Sequence, residues 1–137
     1  MKKILSVALL VLALCITSVC AAEVPDLLGN WTGLGSGRYV EGGFSKSLEN
    51  WSINLTIEEQ KDRLFSGNLS YKNENETQIV EGFAGAIGPD NKTLYLTEYN
   101  EGYDIGTIIS ADEIELIYLQ DGKKGEVEID RLHRIKA

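Results

Sequence analysis

Few side chains in this sequence suit catalysis. His133 is the only histidine, and Cys15 and Cys20 are the only cysteines. Asp130 and His133 stand three residues apart, so on a strand they point to opposite faces and make no base–orienter pair. A zinc site of nitrogen and sulfur ligands lacks the residues it needs. No Asp-x-Asp-x-Asp-Gly loop marks calcium, and there is no phosphate loop or dinucleotide fingerprint. Carboxylates are plentiful, 21 Asp and Glu against 13 Lys and Arg, but acidic faces ordinarily serve solvation. The residues point to a non-enzymatic protein with no catalytic residue, metal or cofactor.

The groups that remain could bind rather than react. Asn-x-Ser/Thr triplets begin at Asn30, Asn50, Asn54, Asn68, Asn75 and Asn91, and in an exported protein these are candidate glycan acceptors on the surface. A strand with a wet face rich in Asn, Ser and Thr spells the same triplets without any sugar. Tyr95, Tyr99 and Tyr103 bracket a hairpin that also carries Glu98, Glu101 and Asp104. Such a rim could hold a sugar, a cation or a peptide, although tyrosine is also an ordinary strand residue at a barrel mouth. Trp51 and Trp31 could line an apolar pocket or simply fill a core.

These residues must be positioned by short strands behind a leader. Lys2 and Lys3, an apolar run and Cys20-Ala21-Ala22 have the form of an export signal over residues 1–22. The expectation is cleavage and an exported domain over residues 23–137, secreted or at the cell surface, with lipid attachment at Cys20 as the weaker alternative. Both cysteines leave with the leader, so no disulfide staples the domain. Without Lys2 and Lys3 the formal charge of −8 becomes about −10, which disfavours nucleic acid and anionic lipid. No membrane insertion of the mature domain is expected.

Period-two alternation runs through the rest. At 50–58, Trp51, Ile53, Leu55 and Ile57 share a dry face, and at 63–71 Phe65, Gly67, Leu69 and Tyr71 share another. Further strands are expected at 29–39, 77–87, 93–99, 103–110, 113–119 and 126–135, separated by turn residues such as Gly88-Pro89-Asp90-Asn91. Short connections and regular spacing predict one all-β domain, an antiparallel up-and-down barrel of about eight strands. Gly67, Gly82 and Gly85 fall inside strands, where missing side chains permit bends or leave interior space.

Gly29-Asn30-Trp31 resembles the first-strand Gly-x-Trp of lipocalin- and avidin-type barrels. In that superfamily the tryptophan closes one end and an arginine of the last strand stacks on it. The resemblance implies the same architecture here, with Trp31 as the plug. Val127, Ile129, Arg131 and His133 share a face of the last strand; if its aliphatics point inward, Arg131 stacks on Trp31. No ligand set maps onto this sequence. The chain is also similar to exported archaeal proteins through Glu59-Gln60, Phe65-Ser66-Gly67, Gly82-Phe83-Ala84-Gly85 and residues 112–118, a resemblance that implies no activity.

Two functions follow from different features. The glycine-relieved barrel suggests a binder of a small apolar or aromatic ligand, in a pocket lined by Trp51, Tyr71, Phe83 and Tyr95 that should measure several hundred Å³. The triplets and the charge suggest instead a structural or interaction module whose outer face meets a partner protein.

Overall fold

The computed structural model describes residues 23–41, 43–44, 51–72 and 77–136, with the side chains of Phe44 and Trp51 outside that description. The leader and Cys20 therefore lie outside the described residues. The strands are β1 (Gly29–Tyr39), β2 (Gly43–Phe44), β3 (Trp51–Lys61), β4 (Leu64–Lys72), β5 (Gln78–Ile87), β6 (Thr93–Glu98), β7 (Tyr103–Ser110), β8 (Glu113–Gln120) and β9 (Glu126–Arg134).

From β4 to β9 each strand pairs antiparallel with its predecessor; β1 pairs with both β3 and β9 and so closes the ring, and β2 is a two-residue appendage on the end of β1. The result is the expected up-and-down barrel of eight strands. Closure leaves no long unpaired edge among the described strands, the standing hazard of an all-β chain.

Local chemistry explains the turns. Asn91 takes a left-handed φ of 54° in the 88–91 turn, a conformation asparagine tolerates. Asp90 accepts from the backbone N–H of Lys92 and Thr93 at 3.0 and 2.9 Å and from the Thr93 hydroxyl at 2.6 Å. β3 runs further than its alternation suggested. A bulge between Ile57 and Glu59 shifts the register, so that Gln60 instead of Glu59 lies opposite Phe65. The shift turns Gln60 towards the bottom of the barrel.

That bottom is sealed. Residues 23–28 cross beneath the strands, and Leu27 is buried among the core side chains. Gln60 holds this segment from both sides of its amide, accepting from the Leu27 N–H at 2.8 Å and donating to the Pro25 carbonyl at 2.7 Å. Trp31 is 0% exposed and donates its indole N–H to the Leu27 carbonyl at 3.0 Å. The cationic plug is Arg134, whose guanidinium lies 4.2 Å from the Trp31 ring centroid. It donates to the carbonyls of Asp26, Leu28 and Ala111 as well.

Arg131 therefore does not stack on Trp31. It points outward, is 72% exposed and bonds Glu115 at 2.8 Å. The register decides this. Trp31 faces inward and lies opposite Arg134, so on β9 the even-numbered residues turn inside and Val127, Ile129, Arg131 and His133 turn outside.

Candidate functional site

Counting inward through the ladders divides the interior into two halves. Around the plug the inward side chains are apolar: Leu55, Ile57, Phe65, Ile87, Leu94, Ile114 and Leu132. Towards the opposite mouth the same faces turn acidic. Glu81 of β5, Glu98 of β6, Asp104 of β7 and Glu126, Glu128 and Asp130 of β9 all occupy inward register positions. Tyr71 of β4 and Tyr118 of β8 stand among them.

A cavity of about 80 Å³ opens in this half, lined by Gly35, Ile53, Leu69, Tyr71, Glu98, Tyr118, Glu126, Glu128 and Asp130. It is smaller than the several hundred Å³ expected, for two reasons. Phe65 fills the space in front of Gly85, where an added Cβ would stand 2.4 Å from its ring. Phe83 packs edge-on to Phe65 at 6.1 Å between centroids and makes part of the floor. The remaining volume still suits several waters or a ligand of a few heavy atoms.

The carboxyls are unequal. Glu81 is well held, accepting from the Asn100 amide at 2.5 Å and the Tyr71 hydroxyl at 3.3 Å. Burial, then repulsion by Asp104 and Glu81, raises Glu98 far above the usual carboxylate range; burial and Asp130 raise Asp104 too. Protonated Glu98 can donate to Asp104, which offsets part of the rise there. Burial, followed by Asp130, Glu126 and Asp104, pushes Glu128 up to about 8. Asp130 is 2% exposed, and burial pushes it up to about 6. Burial and the neighbouring carboxylates raise both Tyr71 and Tyr118, so each keeps its hydroxyl proton. Tyr118 spends its own on the Glu101 carbonyl at 3.1 Å and the Gln120 amide oxygen at 3.3 Å.

The pocket residues expected from sequence are thus dispersed. Tyr71 lines the cavity and Phe83 sits beneath it. Tyr95 lies on the outer face, 51% exposed, and Tyr99 and Tyr103 are exposed as well. The backbone of Trp51 pairs with Gly35 at an inward position, and its side chain lies outside the described residues. The Tyr-rich hairpin does not form one rim; it sends Glu98 and Asp104 inward and its tyrosines outward. Asp130 and His133 do face opposite ways, as their spacing requires.

Among the triplets, Asn50 and Asn75 lie outside the described residues, and Asn91 sits in its turn. Asn30 and Asn54 belong to one cross-strand ladder. The Thr56 hydroxyl donates to Asn30 at 2.9 Å and the Thr32 hydroxyl to Asn54 at 2.8 Å, so each triplet supplies the partner of the other. Asn68 donates to Glu58 at 2.9 Å.

Known structures share this architecture. A redesigned β-barrel superposes with a TM-score of 0.58 at 12% identity, covering 88% of this chain and all (100%) of that one. A de novo designed fluorescence-activating β-barrel gives 0.52 at 10% identity, over 79% and 93% of the two chains. EF1p2_mFAP2b bound to DFHBI gives 0.57 at 12%, over 80% and 94%. The likeness is one of fold. No protein-family model and no curated protein matches the chain.

Proposed function

We propose that this chain is an exported, non-enzymatic barrel that holds a small ligand in its open half. The carrying observation is the cavity between Gly35, Tyr71, Tyr118, Glu128 and Asp130, above a packed apolar floor and a plugged lower end. A barrel of eight strands either fills itself with side chains or encloses one small ligand. This one fills its lower half and leaves polar groups around a void in the upper half. A barrel of the same fold solved with DFHBI supports the reading that this architecture can admit a small molecule. The wall chemistry argues against the purely apolar ligand expected from sequence, because an apolar guest would leave these carboxyls without partners.

Native mass spectrometry of protein from its own host tests this reading. A mass retained under native conditions and released on denaturation is expected, and Ile53→Trp, which fills the cavity, should abolish it. If nothing is released and no compound from a small-fragment set binds, the reading fails.

One observation favours the alternative of an interaction module. Tyr95, Ile105, Ile117 and Ile129 pair in series across β6 to β9 and all point outward, and three of them are exposed. An apolar row of this kind is a common feature of surfaces that meet a partner. If that row is the functional surface, Ile105→Glu should abolish capture of a partner protein while leaving the interior and its occupant untouched.

A further inference from the structure

The open half gathers acidic side chains from β5, β6, β7 and β9. Among the described inward positions of this half no strand supplies a lysine, arginine or histidine, and Arg134 is committed to the plug at the other end. Within this set Asp130 is distinctive. It is 2% exposed and lines the cavity, and burial raises its pKa. Unlike Glu81, it receives no hydrogen bond from any described residue. Buried carboxyls are ordinarily hydrogen-bonded or paired, because an isolated one loses its hydration without return. A donor supplied from outside the chain satisfies that requirement.

We propose that the cavity binds a compact organic cation, a primary ammonium group seated at Asp130 and Glu128 with a short tail against Ile53 and Leu69. This deepens the small-ligand reading above and rests on it. An ammonium brings three N–H donors and one positive charge to a site that offers acceptors and negative charge. Tyr71 and Tyr118 are among the lining residues, and aromatic rings attract a cation and tolerate its methylene groups. Ile53 and Leu69 give a tail of a few carbons a dry surface. The volume of about 80 Å³ limits the guest to a few heavy atoms. A bare metal ion fits less well, since among the described residues no three carboxylates converge in a metal-holding group. Anions meet repulsion from every side.

Calorimetric titration of the purified protein at about pH 9, where Asp130 and Glu128 are mostly ionised and an alkylammonium of lysine-like pKa keeps its proton, decides between the possibilities. The probes are n-butylammonium chloride, 1-butanol, sodium butyrate and calcium chloride, which separate charge from shape and ammonium from metal. n-Butylammonium should bind at least about tenfold more tightly than 1-butanol, the scale of a hydrogen bond to a charged group, and butyrate should not bind. Asp130→Asn should weaken the ammonium about tenfold and leave the alcohol unchanged. If that variant fails to fold, Glu128→Gln should show the same selective loss. Butanol binding as tightly as the ammonium, or calcium binding in its place, would overturn the cation assignment and leave the ligand-binding barrel standing. If no probe binds and native mass spectrometry releases nothing, both fall together.

Discussion

Asp130 lies so close over Gly35 that a Cβ on Gly35 would stand 2.2 Å from its Oδ1. The two residues are partners across the β1–β9 seam that closes the barrel. The missing side chain of one thus makes room for the buried carboxyl of the other. Gly35→Ala forces that carboxyl to move within a packed wall and should cost about 1–3 kcal/mol, the usual scale of overpacking. Ammonium binding should weaken with it. Ser36→Ala, on the outer face of the same strand, should change neither. Thermal melts and titrations of both variants provide the check.

The plug gives a second prediction. Arg134 stacks on Trp31 and donates to three backbone carbonyls, whereas Arg131 holds an exposed pair with Glu115. Arg134→Lys keeps the charge but loses the planar fork stacked on the buried Trp31 and should cost about 1–2 kcal/mol, the scale of a partly desolvated cation–π contact. Arg131→Ala removes a surface ion pair and should cost less than about 1 kcal/mol. Equal losses in denaturant unfolding would return Arg131 to the interior.

The same contrast shows what was legible in the sequence. Alternation tells which residues share a face, and it placed Phe65, Gly67, Leu69 and Tyr71 together correctly. It does not tell which face is inside. On β9 the aliphatics Val127 and Ile129 look like the core face, but both lie on the outer face, where Ile129 continues the row begun by Tyr95 and Ile105. The acids Glu126, Glu128 and Asp130 face inward because the seam register follows Trp31. The one sequence signal for this was Leu132. It is the sole aliphatic among the even-numbered residues of β9, and it sits where the strand must reach the apolar plug. The eight-strand barrel was readable because alternation and turn chemistry agree, and Trp31 as the plug followed from the resemblance of Gly29-Asn30-Trp31 to a first-strand Gly-x-Trp. The acidic cavity was not, because it inverts the usual rule of apolar residues inside.

An inverted interior should invert the usual pH response. Asp130 and Glu128 are raised to about 6 and about 8 in the folded chain, and Glu98 and Asp104 are raised as well. Among the described residues the titratable groups facing them are Tyr39, Tyr71, Glu81, Tyr118 and Glu126, none of them cationic. Unfolded carboxyls titrate near ~4, so above that pH the unfolded chain has released protons that the folded chain retains. Stability should therefore fall as pH rises through the folded values. The melting temperature should be several degrees lower at about pH 8 than at about pH 5. n-Butylammonium should restore part of the difference. A curve that rises across that interval would contradict the buried acids. Asp90 works in the opposite sense on the acid side. Its hydrogen bonds, first that from the Thr93 hydroxyl, hold it down to about 2, so its contribution is lost as pH falls towards that value.

The tyrosines separate inside from outside. Tyr118→Leu removes an aromatic wall of the cavity and should weaken ammonium binding several-fold, on the scale of one cation–π contact, ~1 kcal/mol or more. Tyr95→Leu changes the outer row and should leave binding as it was. Titration of the two variants side by side would expose an error in the assigned faces.

The central claim is that Glu98, Asp104, Glu128 and Asp130 turn into the barrel interior and away from bulk solvent. Side-chain carboxyl ¹³C resonances followed across pH test it most directly, residue by residue. Four resonances titrating well above the ~4 of ordinary carboxylates, and moving down when n-butylammonium is added, are the predicted result. If every Asp and Glu titrates near ~4 with and without the ammonium, these carboxyls face water, and the acidic cavity and its proposed cation go with them.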